Sequence, residues 1–135
     1  MKIEFEDDVI RCLCKWLETR GWKIEETSIG HKHGCDIVAR KDGKRLIVEA
    51  KGRKGNPRSH VTKRPKFDSG QIKDHFGKAL VKILEERNKD QNAIIAIAQP
   101  NDNHIRECLK HVIPEVKKSD IKLYWIESAE IVEEE

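Results

Sequence analysis

The run Ala93-Ile94-Ile95-Ala96-Ile97-Ala98 is apolar at every position. It is far short of the ~20 residues a membrane span needs, and it lacks the alternation of a half-solvated strand. Such a run reads as a central strand buried on both faces, which places helices against a sheet. The chain supplies them. Val9, Ile10, Leu13, Trp16 and Leu17 follow Asp7 and Asp8 at helical spacing, and Gly21 stops the pattern. Ile72, Phe76, Ala79, Leu80, Ile83 and Leu84 repeat it, with Ser69 as the expected cap. Asp102–Val112 is a third helix, ending before Pro114.

Strands are expected at Trp22–Ser28, Cys35–Arg40, Arg45–Lys51 and Ile121–Ile126. Asp42-Gly43 is a strong short hairpin signal, so the second and third of the chain's strands pair antiparallel. Gly52–Asp68 has no period and is long for a connection inside a compact domain. The acidic tail Glu127–Glu135 is expected to fray. The order is α-β-β-β-α-β-α-β, a mixed α/β sheet flanked by helices in a single domain spanning residues 1–135.

Charge is unevenly spread. Lys51, Arg53, Lys54, Arg58, Lys63, Arg64 and Lys66 fall in one acid-free stretch, leaving 20 basic against 24 acidic residues elsewhere. A mildly acidic body with one basic segment points to a polyanion. That segment is expected to be mobile until it meets one. The start, Met1-Lys2-Ile3-Glu4, has no secretory h-region, so a cytoplasmic domain with no membrane partner is expected. Cys12, Cys14, Cys35 and Cys108 are then free thiols rather than disulfides. Cys12 and Cys14 point ~200° apart on a helix at about 100° per residue. With His31, His33 and Cys35 they fall outside the usual zinc-knuckle spacing.

Chemistry is expected at the hairpin. Glu49 and Lys51, two apart on one strand, project to the same face, and the Asp42-Gly43 turn folds Asp36 back beside Glu49. None of the three is expected in the apolar core. Two carboxylates with open positions suit Mg²⁺ (or Mn²⁺), and the neighbouring Lys51 suits orientation of water or stabilisation of phosphoryl charge. The basic stretch begins where a polyanion would reach them.

Asp36, twelve intervening residues and Glu49-Ala50-Lys51 resemble the signature of the PD-(D/E)XK nuclease superfamily, with its restriction-endonuclease-like fold. The Gly21-Trp22 helix end and Gly34-Cys35-Asp36-Ile37-Val38-Ala39-Arg40 look most similar to Holliday-junction resolvases and Mrr-type nucleases. The resemblance runs over Glu6–Ile97; Cys35 stands where Pro is common. It implies metal binding by Asp36 and Glu49 and a catalytic Lys51. It also implies a further acid at the first helix, for which Glu6 is the candidate and Asp7 and Glu4 are competitors. Gln71 with His75 one turn on resembles the Gln/Tyr pair of RecB-like nucleases, Gln71 fixing water or phosphate. His31 and His33, just before Asp36, are candidates for phosphate contact. Arg53, Lys54, Arg58, Lys63, Arg64 and Lys66 would hold DNA.

The implied function is Mg²⁺-dependent hydrolysis of DNA phosphodiesters, favouring an endonuclease; related nucleases are often homodimers. A nucleic-acid-binding module with a vestigial or partner-dependent site is the alternative, and an α/β interaction domain a third.

Overall fold

The computed structural model describes residues 3–29, 34–54 and 66–135. Helix α1 (Glu6–Thr19) carries Glu6, Asp7 and Asp8 in its first turn, complementing the helix dipole. Asp8 Oδ2 accepts from Phe5 N at 3.0 Å. Its end is a Schellman motif: Gly21, at φ +89°, donates to Glu18 O while Trp22 N donates to Leu17 O. Strand β1 (Lys23–Thr27) follows.

Strands β2 (Ile37–Lys41) and β3 (Lys44–Ala50) form the expected hairpin, with Ile37 opposite Val48 and Lys41 opposite Lys44. Asp42 and Gly43 both have positive φ, 52° and 77°, as a type I′ turn demands. Helix α2 (Ser69–Lys89) crosses to β4 (Ile94–Pro100). Its cap is Asp68, not Ser69. Asp68 Oδ1 accepts from Gln71 N at 2.8 Å and Gln71 Oε1 accepts from Asp68 N at 2.9 Å, a reciprocal capping box. Helices α3 (Asn103–Leu109) and α4 (Ile113–Lys118) lead to β5 (Ile121–Ile126), and β6 (Val132–Glu134) closes the order.

The six strands lie in sequence order. β1, β2 and β3 are antiparallel, β3, β4 and β5 parallel, and β6 antiparallel to β5. Leu46, Val48, Ala50, Ala96 and Ala98 pack with Val9, Leu13 and Leu17 of α1. Ile47, Ile95 and Ile97 pack on the other face with Ile72, Phe76 and Ile83 of α2 and Ile105 and Leu109 of α3. The apolar run is thus buried from both sides. Among the described residues no helix is long and apolar enough to cross a membrane.

Two elements depart from the sequence reading. The third helix does end before Pro114, at Leu109, but Pro114 then sits in the first turn of a further helix, α4, where its missing N–H is not needed as a donor. The tail does not fray at its end: Glu134 pairs with Tyr124 and Val132 with Ile126. Its carboxylates meet cations, Glu134 with Lys122 at 3.0 Å, Glu135 with Lys117 and Arg106 at 3.3 Å each, and Glu133 with Arg106.

Candidate active site

The hairpin register builds the site. With Ile37 opposite Val48, Asp36 stands just before β2 opposite Glu49. Lys51 N donates to Ala98 O at 2.9 Å, carrying the β3–β4 ladder one residue beyond β3. Since Leu46, Val48 and Ala50 face α1, the alternation turns Glu49 and Lys51 toward the α2 side.

Asp36 is held twice. Oδ2 accepts from Ala50 N at 2.8 Å and Oδ1 from the Ser28 hydroxyl at 2.7 Å. Both hairpin acids lie deeper than the sequence implied: Asp36 is 7% exposed and Glu49 3%. They sit at the wall of the core rather than outside it, because α2 closes over that end of the sheet. Lys51 alone of the three is only half-buried.

Glu6 joins them. It is half-buried at the start of α1, and its carboxyl is pushed up to about 7, first by burial and then by the charge of Asp36, with Lys51 opposing. Glu49 is pushed up to about 8, again by burial first, then by Asp36, with Lys82 opposing. Asp36 is therefore the acid both others face. Of the two competitors of Glu6, Glu4 is engaged elsewhere, its Oε1 3.2 Å from Lys54 Nζ, while the neighbouring Asp8 caps α1. Asp7 enters as one of the charges raising Glu6.

Glu6 is set by a backbone contact. Arg53 N and Lys54 N both donate to Glu4 O, at 2.8 and 3.0 Å, fastening the segment after Lys51 to the one before α1. A Cβ on Gly52 would stand 2.6 Å from Glu6 N and 2.7 Å from Glu4 O. Only glycine admits that approach.

The sequence did not flag Ser28, Gly52, Lys82 or Gln99. Lys82 of α2 reaches Glu49 Oε1 at 3.3 Å without hydrogen-bond alignment and donates to Gly34 O at 2.8 Å. Gln99 extends β4 beside Lys51; it is 2% exposed, and its Nε2 has no hydrogen-bond partner. One signal was available for it: a polar residue directly after an all-apolar run.

Other candidates are placed differently. Gln71 is exposed at the start of α2, its amide oxygen spent on the capping box. His75 stacks on Phe67 at 4.3 Å between centroids, and burial followed by the charges of Lys51 and Lys78 lowers its pKa. Arg53 Nε lies 3.5 Å from Asp102 Oδ2 and is buried, and Lys54 is on Glu4, so both are turned to the protein's own acids. Lys66 is exposed. Arg58, Lys63, Arg64, His31 and His33 lie outside the described residues. Cys12 and Cys35 are buried, and Cys14 and Cys108 half-buried, all as free thiols. Burial lifts Cys14 and Cys35 to about 11, which keeps them protonated.

Among the described residues no three His, Cys, Asp or Glu side chains are grouped as a ready metal cage. What Asp36 and Glu49 offer is a partial oxygen shell. Glu49 Oε1 is a buried acceptor without a hydrogen bond, beside a second buried acid, and that arrangement fits a hard cation keeping several waters.

No family model matches the chain, and no curated protein matches it. Solved structures do. An XisH family protein from Nostoc punctiforme superposes with a TM-score of 0.58 at 16% identity, over 94% of this chain and 97% of that one. A fdxN element excision controlling factor protein from Anabaena variabilis does so with 0.60 at 15%, over 94% and 96%. At such identities the likeness is one of fold.

Proposed function

We propose that the chain is a divalent-metal-dependent nuclease of the PD-(D/E)XK type, with a restriction-endonuclease-like fold, hydrolysing DNA phosphodiester bonds in the cytoplasm. The observation that carries this reading is the register placing Asp36 opposite Glu49, both buried, with Lys51 two residues on along the same face. The signature residues and the fold support it. So does the description of one structural neighbour as an excision controlling factor, which is in keeping with a nucleic-acid substrate.

Asp36 and Glu49 would hold Mg²⁺ or Mn²⁺, with Glu6 completing the acidic wall. The bound cation would supply Lewis-acid stabilisation of charge on the phosphoryl oxygens. Ser28 and the Ala50 amide fix Asp36 in one orientation, so no reorganisation is needed when substrate arrives. Lys51, at the open edge, holds the attacking water and faces the charge that builds on the phosphate. Lys82, 3.3 Å from Glu49 Oε1, opposes the upward shift of that carboxyl and so favours the ionised form a cation needs.

The test is a panel of labelled duplex, junction and single-stranded DNA, with RNA alongside, incubated with Mg²⁺, Mn²⁺ or chelator. Metal-dependent cleavage that Glu49→Gln and Lys51→Ala each lower by about 10²–10³-fold supports the assignment. Tight binding with no cleavage in either metal would instead favour a binding module.

A further inference from the structure

Helix α2 buries Ile72, Phe76, Ala79 and Ile83 and turns the opposite stripe outward. On that stripe Val81 is 60% and Leu84 40% exposed. Two exposed apolar residues need no explanation by themselves. Their surroundings give them one. A Cβ placed on Gly77 would meet nothing within 4 Å, so there is an open hollow two turns before Leu84.

The charges beside the stripe are arranged as a mirror sequence. Reading outward from Val81 and Lys82 in both directions, Lys78 answers Glu85 and Asp74 answers Lys89. Asp74, Lys78, Lys82, Glu85 and Lys89 all fall on one flank of the helix at about 100° per residue, while Gly77 and Leu84 fall on the other. None of Asp74, Lys78 or Glu85 has an ion-pair partner among the described residues.

The geometry points to α2 as the seam of a homodimer, packed antiparallel on α2 of a second copy. A twofold axis lying in the seam perpendicular to both helices brings like flanks together. Leu84 then enters the hollow over the partner copy's glycine at the same stripe position as Gly77. Val81 meets its own counterpart at the axis. Lys78 meets the copy's equivalent of Glu85, and Asp74 the equivalent of Lys89. Parallel packing would instead set the charged flank of each helix against the Gly77–Leu84 flank of the other and leave those charges unpaired. The apolar contacts supply affinity, and the flanking charges set direction and register. Lys82 lies on the charged flank, so the two Glu49–Lys82 pairs fall on the same side of the assembly.

Sedimentation velocity on the full chain over a wide concentration range reads this directly. The wild type is expected to double from 15.7 kDa as concentration rises. Leu84→Glu and Lys78→Glu should each remain monomeric with unchanged circular dichroism. Combining Lys78→Glu with Glu85→Lys should restore the dimer, because the swap rebuilds every cross-pair. A wild type that stays monomeric throughout, the face being left to solvent or another protein, would overturn the seam. So would a dimer that survives Leu84→Glu, or a charge swap that fails to restore association. None of these readouts depends on cleavage, so the nuclease reading stands or fails separately.

Discussion

At Asp36, two hydrogen bonds and a buried position make alanine a poor probe. Asp36→Ala would strand the Ala50 amide, a loss on the order of 1–3 kcal/mol. Asp36→Asn keeps an acceptor there, so it should abolish cleavage with a smaller fall in melting temperature, checked by thermal unfolding beside an activity assay. Glu49 permits a different measurement. Held at about 8 in the fold, against an ordinary 4.5, it keeps a proton that the unfolded chain has already released. Metal-free stability should therefore decline as pH rises from about 4.5 toward 8. Glu6, at about 7, adds to the same slope. Glu49→Gln should flatten the profile and be the more stable protein at its alkaline end. Thermal unfolding in chelator, scanned over pH, checks this; an equally steep profile for the variant would contradict it.

Segments that touch the site act on it through backbone. Gly52→Ala forces the 4–6 segment away from the end of β3, so it should lower activity strongly through Glu6 while leaving the hairpin intact. Amide exchange is expected to rise at Glu6–Val9 and to stay unchanged at Ile37–Val48. The last strand depends on Arg106, which lies 4.1 Å over the Trp125 ring and bonds Glu133, Glu135 and Asn101. Arg106→Ala should accelerate amide exchange in β6, while β4 keeps its protection. This is also where sequence reading reached its limit. The hairpin was legible because a turn dipeptide and a period of two are local, and Asp36, Glu49 and Lys51 were legible with it. β6 was not, because its pairing depends on cations from α3, α4 and β5. Lys82 and Ser28 were missed for the same reason: each meets the site across a tertiary contact that no spacing encodes.

Across the whole molecule, the basic stretch divides into two kinds of charge. Arg53 and Lys54 are fastened to Asp102 and Glu4, and serve the joint that carries Glu6. Lys66 is exposed, and with Arg58, Lys63 and Arg64 it is the group expected to neutralise phosphates. Replacing those four with alanine should weaken DNA binding and flatten its salt dependence, by about 0.9 in log–log slope for each duplex phosphate left without its cation. Arg53→Ala should act chiefly on thermal stability. Binding titrations at several salt concentrations separate the two.

Phe67 N donates to Arg53 O at 2.9 Å, so the two ends of the connection between β3 and α2 are tied together. The sheet, the acids and α2 therefore place little demand on how many residues lie between. Doubling the length of such a connection costs only about 0.6 kcal/mol of closure entropy. The segment carrying the residues proposed to grip a nucleic acid can thus be lengthened, shortened or exchanged as a cassette while Asp36, Glu49 and Lys51 stay fixed. In such a fold, what is cut and how it is cut are free to change independently.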